Sequence, residues 1–127
     1  MLRHTLAGGL MLATSLVLTA GPGAHADIYA PYARAAAIVD ANGTLNNFKN
    51  VVSSRLVSRG KYCVRVRSNV DVREALIQIT SRDPVRLPQI AYRHPSPTCN
   101  EDNTVAVHVY NSSSGQLADG GFDFAIL

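Results

Sequence analysis

The chain has 127 residues and a formal net charge of +3, which is the size of one ordinary domain with a small basic excess. Nucleic-acid-binding proteins carry clustered Lys and Arg with aromatic residues between them, and only Tyr62 interrupts such a cluster here. Composition and charge therefore argue against a nucleic-acid partner.

The N-terminal part of the chain has the pattern of an export signal. A basic start at Arg3 precedes an uncharged apolar run over 6–20, which is shorter than the roughly 20 residues needed to span a bilayer. The small-residue site Ala24-His25-Ala26 follows, although an uncleaved anchor is the alternative. The sequence thus predicts a signal peptide over 1–26 and a single secreted, extracellular domain over 27–127, with no transmembrane segment after cleavage.

Short segments of alternating polarity, separated by turn residues, predict an all-β domain without an amphipathic helix. Asn42-Gly43 suits a tight hairpin, and Ser58-Arg59-Gly60 suits a three-residue one. Strands at this spacing predict an antiparallel two-sheet sandwich of immunoglobulin-like architecture. The seven predicted strands lie near 33–41, 50–57, 61–67, 75–81, 89–92, 104–110 and 122–127.

The third predicted strand has one apolar and one basic face. The apolar face should point into the core, because burying several cations without partners would cost too much free energy. Its residues are Tyr62, Val64 and Val66, whereas Lys61, Cys63, Arg65 and Arg67 share the opposite face.

The two cysteines, Cys63 and Cys99, are predicted to form a disulfide in an exported protein, with two free buried thiols as the alternative. Such a bond stabilises the fold by about 4 kcal/mol on the chain-entropy model. Because Cys63 points away from the core, the Pro-rich segment 94–99 should cross the outer face of the sheet.

A basic stripe is the most distinctive feature of the outer face. Pairing across 58–60 should set Val57 opposite Lys61 and Arg55 opposite Cys63, so the cations of both strands share one surface. The stripe consists of Arg55, Lys61, Arg65 and Arg67. It is either a solvated face that keeps the protein soluble or an attachment site for a cell-wall polymer, a membrane face or an acidic protein.

The C-terminal part of the chain carries a recurring arrangement of motifs. A strand over 105–110 precedes Ser114-Gly115, then Ala118-Asp119 and the Phe122-Asp123-Phe124 strand. Together with 40–44 and 60–64, this arrangement resembles small exported bacterial, actinobacterial-like proteins of uncharacterised function. The resemblance implies a single-domain β-sandwich and an export route, and it implies no catalytic residues.

No pattern in the sequence predicts an enzyme, a cofactor or a metal site. His94 and His108 lack a Gly-x-Ser-x-Gly elbow, and Cys99 has no second pair of ligands for zinc. A loop calcium site at Glu101-Asp102, or at Asp119 with Asp123, is a weaker possibility than solvated turns.

Two functions from different classes follow from these patterns. The favoured one is a secreted non-enzymatic module that binds an unknown protein, polysaccharide or anionic envelope component. The alternative is a small secreted enzyme inhibitor or hydrolase that acts through the Pro-rich segment 83–99, because a preorganised loop reduces the ordering cost of binding.

Overall fold

A computed structural model describes residues 30–127, in which eight strands and no helix form. The predicted signal peptide 1–26 and the start of the mature chain at Asp27 lie outside the described residues. Within residues 30–127, the chain forms no helix with the length and apolar character needed to cross a membrane. The strands are β1 Ala35–Val39, β2 Leu45–Lys49, β3 Val51–Ser58, β4 Lys61–Val66, β5 Ile77–Ser81, β6 Arg86–Tyr92, β7 Thr104–Asn111 and β8 Phe122–Ile126.

The strands form two four-stranded sheets with orders β2-β1-β8-β5 and β3-β4-β7-β6, and every pair is antiparallel. Their inner faces supply the core, as in β1 and β8, where every second residue is buried. The predicted all-β sandwich with a disulfide is confirmed.

Strand β2 is the element that sequence periodicity missed. Its two large apolar residues, Leu45 and Phe48, are three positions apart, which does not fit the two-residue period of a strand. The register with β1 shifts between Ala37 and Val39, so Phe48 pairs with Ala37 and Leu45 with Val39. This irregularity allows both residues to pack against the core.

The apolar face of β4 lies in the main core, as the sequence predicted. Tyr62 and Val64 have no exposed surface, and the ring of Tyr62 meets Phe122 edge to face with centroids 5.3 Å apart. The Tyr62 hydroxyl donates to the carbonyl of Ala41 at 2.6 Å and accepts from the amide of Gly120 at 3.0 Å. The core therefore contains a buried phenol whose polar atom is hydrogen-bonded, and its burial raises the pKa of Tyr62.

The disulfide Cys63–Cys99 lies on the outer side of the β4 sheet, with Cα atoms 5.6 Å apart. Both cysteines pack with Ala106 in a small cluster that is separate from the main core, and Ala91 contacts this cluster. The predicted outward direction of Cys63 is confirmed. The segment carrying Cys99 covers it, so Cys63 is nonetheless only 2% exposed.

Two details of the sequence interpretation were wrong. Ser58, not Val57, lies opposite Lys61, because the β3–β4 register shifts between Leu56 and Ser58. The Pro-rich segment 83–99 is not one loop, because β6 occupies Arg86–Tyr92 and pairs with β7. Pro88 is compatible with strand β6 because β6 is at the edge of its sheet.

Candidate functional site

The structure separates the predicted basic stripe into three parts. Arg55 and Arg65 lie on either side of Glu101, which the segment after β6 carries to the outer face. Lys61 pairs in register with His108 of β7. Arg67 follows the last residue of β4.

Glu101 bridges Arg55 and Arg65. Its Oε1 is 3.6 Å from Nη2 of Arg55, and its Oε2 is 4.0 Å from Nη1 of Arg65. The three side chains are 42 to 48% exposed, so these ion pairs contribute little to stability. One carboxylate offsets the charge of only one of the two guanidinium groups, and a positive charge remains.

A wide cleft adjoins this pair, and we refer to it as the basic cleft. Its volume is about 580 Å³, and it is open to solvent along one side of the β4 end. Arg65 and Arg67 are two positions apart and therefore project from the same side of the backbone. The lining residues are Asn50, Val52, Arg65, Val66, Arg67, Ser68, Asn69, Asp102 and Asn103.

Asn103 fixes the wall of the basic cleft that is formed by the turn after β4. The two N–H groups of its Nδ2 are shared among the carbonyls of Val66 at 3.0 Å, Arg67 at 2.8 Å and Val70 at 2.7 Å, and its Oδ1 accepts from the amide of Val72 at 3.3 Å. Asn103 adopts a φ of 56°, a conformation that Asn tolerates better than most residues. The turn carrying Arg67 is thus held by a side chain remote in sequence.

A second cleft of about 300 Å³ continues the basic cleft, because both are lined by Ser68, Asp102 and Asn103. Arg93 holds its far wall, where Nη1 donates to the carbonyls of Val72 at 3.1 Å and Ala75 at 2.6 Å. The turns that border the two clefts are therefore fixed by internal hydrogen bonds before any ligand binds.

The charges of the basic cleft favour an anion. Its lining contains two guanidinium groups, Arg65 and Arg67, against the single carboxylate of Asp102. Within residues 30–127, Arg67 has no ion-pair partner, and its side chain is exposed. A guanidinium presents five N–H donors in a planar fork that matches carboxylate, sulfate and phosphate oxygens.

Three of the four candidate calcium ligands have other partners. Asp119 accepts from the amide of Gly60 at 2.8 Å, Asp123 pairs with Arg82 at 2.7 Å, and Glu101 faces its two arginines. Among residues 30–127, no group of three or more His, Cys, Asp or Glu side chains is placed to hold a metal ion.

The remaining residue of the stripe, Lys61, lies opposite His108 of β7. Burial of the imidazole, and then the charge of Lys61, lower the pKa of His108 below its usual value. The ring is therefore neutral at pH 7, and Lys61 carries the positive charge of this pair.

Comparison with known proteins gives no significant match to a family model, to a curated protein or to a solved structure. Function therefore has to be argued from the residues themselves. Sequence reasoning found Arg65 and Arg67 but missed Asn103, whose only sequence signal is its position in a polar turn before a strand.

Proposed function

We propose that this chain is a secreted, non-enzymatic binding module that attaches to an anionic extracellular ligand through the basic cleft. The observation that carries the proposal is the pair of guanidinium groups, Arg65 and Arg67, that line the basic cleft, with Arg67 free of an acidic partner among the described residues.

Charge-assisted hydrogen bonds supply the attraction. Each bond from a guanidinium to an anionic oxygen is worth about 1.5 to 3 kcal/mol, more than a bond between neutral groups. A ligand carboxylate or sulfate can also compete with Glu101 for Arg65, because that ion pair is long and exposed. Affinity should consequently fall as the salt concentration rises.

Preorganisation supports the same function. Asn103 holds the turn that carries Arg67, and Arg65 lies on strand β4, which pairs with β3 and β7. Binding then requires the ordering of two side chains but no rearrangement of the backbone. Fixing a binding surface in advance reduces the entropy cost of association.

The test compares dextran sulfate with neutral dextran, which share a backbone and differ in charge. Arg67→Ala should weaken binding to dextran sulfate about tenfold, equivalent to the loss of ~1.4 kcal/mol. Arg59→Ala is the matched control, because it removes the same charge at the β3–β4 hairpin tip, the opposite end of β4. Neutral dextran should not bind.

Equal weakening by Arg67→Ala and Arg59→Ala would mean that net charge, not the basic cleft, attracts the polymer. Absence of binding to dextran sulfate at low salt would contradict the proposal altogether.

A further inference from the structure

The outer face of the β3-β4-β7-β6 sheet has a covered half and an open half. The segment that follows β6 covers Cys63 and Ala106. Beyond it, the strand register places Lys61, His108 and Gln89 in one row across β4, β7 and β6. The next row pairs Tyr110 with Leu87. We refer to these two rows as the open face.

The open face combines apolar surface with neutral hydrogen-bonding groups. The rings of His108 and Tyr110 lie edge to face with centroids 6.4 Å apart, and Leu87 is 47% exposed. Gln89 is exposed between them and offers both a donor and an acceptor. All of these residues lie on paired strands, so the backbone that carries them is held in place without a ligand.

A shallow groove of about 270 Å³ runs along this face, close to the lower end of the ~300–1,000 Å³ range of small-molecule sites. Among the described residues, no carboxylate lines it. Its lining residues are Leu87, Gln89, Tyr110, Asn111, Ser112 and Gly115.

Charge complementarity indicates an acidic occupant. Lys61 is the cation of the open face, and it lies opposite His108 in the β4–β7 register. Along β4, Lys61 is four residues from Arg65, which corresponds to about 13 Å at ~3.3 Å per residue. An extended polyanion that contacts both the open face and the basic cleft has to pass over the covering segment at Cys63–Cys99.

We propose that the open face binds the sugar rings of an acidic polysaccharide, a polymer of uronic acid units. The ring of Tyr110 and the side chain of Leu87 pack against the C–H face of a pyranose. The amide of Gln89 exchanges hydrogen bonds with its hydroxyl groups, and Lys61 pairs with its carboxylate. This inference rests on the proposed function and names the chemical class of its ligand.

The geometry favours a sugar over an acidic peptide. A pyranose has apolar C–H faces and a rim of hydroxyl groups, which match a tyrosine beside an amide. A polyglutamate chain presents carboxylates without rings, so it would use Lys61 and the basic cleft but not the ring of Tyr110.

The experiment measures the affinity of the whole domain for two polyanions, polygalacturonate and poly-L-glutamate. Tyr110→Ala should weaken binding to polygalacturonate about tenfold, equivalent to ~1.4 kcal/mol, and should change polyglutamate binding less than twofold. Tyr32→Ala is the matched control, because Tyr32 is 93% exposed and precedes β1 in the other sheet. It should change neither affinity.

Gln89→Ala provides a second variant whose exposed side chain contributes little to folding. It should also weaken polygalacturonate binding selectively, by severalfold. Arg67→Ala should weaken binding to both polymers, because it acts through charge.

If Tyr110→Ala and Gln89→Ala affect both polymers equally, or neither, the open face does not bind sugar rings. The proposed function would still stand in that case, provided that Arg67→Ala weakens both. If the unmodified domain binds neither polymer at low salt, the inference fails, and the proposed function fails with it only if dextran sulfate does not bind either.

Discussion

Replacement of Asn103, which directly precedes β7, should destabilise the fold more than a polar substitution within the turn after β4 that Asn103 holds. Its side chain makes four hydrogen bonds with the backbone of 66–72. Val70 and Val72 in this segment are buried, at 3% and 1% exposure, so the segment cannot move freely into solvent. Removal of the amide leaves its backbone partners without a substitute from the protein.

The expected loss of stability depends on how well these hydrogen bonds are shielded from water. Three of the hydrogen bonds are partly buried: those that Asn103 makes with the carbonyls of Val66 and Val70 and with the amide of Val72. Each is worth about 1 kcal/mol net. Asn103→Gly, which retains the positive φ, should therefore cost about 3 kcal/mol. Asn103→Ala should cost about 1 kcal/mol more, because its Cβ strains the left-handed backbone.

The assay is urea denaturation with the disulfide intact, in which the midpoint and the slope are both measured. Asn69→Ala is the matched control, since Asn69 is an exposed asparagine in the turn that Asn103 holds. A loss below about 0.5 kcal/mol for Asn103→Gly would refute the reasoning, because it would mean that water replaces the amide at little cost. The Gly variant should also weaken the Arg67-dependent binding to dextran sulfate.

Three further predictions concern other parts of the domain. Replacement of Cys63 and Cys99 by Ser should lower the free energy of unfolding by about 4 kcal/mol, and Val64→Ala should lower it by about 2 kcal/mol. The two losses should be additive, because the disulfide and the core valine lie on opposite faces of β4. The pKa of His108 is lowered in the folded state. The contribution of His108 to stability is therefore present above pH ~6.5 and is lost as pH falls below that value. His108→Gln should remove this part of the pH dependence of Tm. Glu101→Gln should tighten dextran sulfate binding severalfold, by releasing two guanidinium groups, while changing stability by less than about 1 kcal/mol.

Each of these three predictions would be contradicted by a specific result. Strong coupling between the disulfide and Val64→Ala in denaturation midpoints would show that the two faces of β4 are not independent. An unchanged pH profile of Tm after His108→Gln would assign the acid sensitivity to another group. Weaker binding after Glu101→Gln would mean that the carboxylate positions the arginines for the ligand instead of competing with it.

The faces of β4 were predictable because strand alternation is a local property. Tyr62 and Val64 alternate with Cys63 and Arg65, and the cost of burying cations decides which set points inward. The hairpin turn before Lys61 was also predictable, although its register was not, because the position of a bulge depends on packing against the neighbouring strand.

The candidate site was predictable only in part. Arg65 and Arg67 follow from alternation, whereas the cleft between them and Asn103 depends on the path of the chain after β6. That path also decides which acidic residue reaches the basic stripe. Glu101 meets Arg55 across 46 positions of sequence, which no local pattern encodes.

By itself, the amino-acid sequence determined the β-sandwich class and the inward face of β4, because two-residue alternation is a local property, and it determined the disulfide because two cysteines allow only one pairing. The tertiary structure alone decided the pairing of β2, the division of the basic stripe and the hydrogen bonds of Asn103. These features join residues that are distant along the chain, and their geometry exists only after both sheets and the covering segment have packed together.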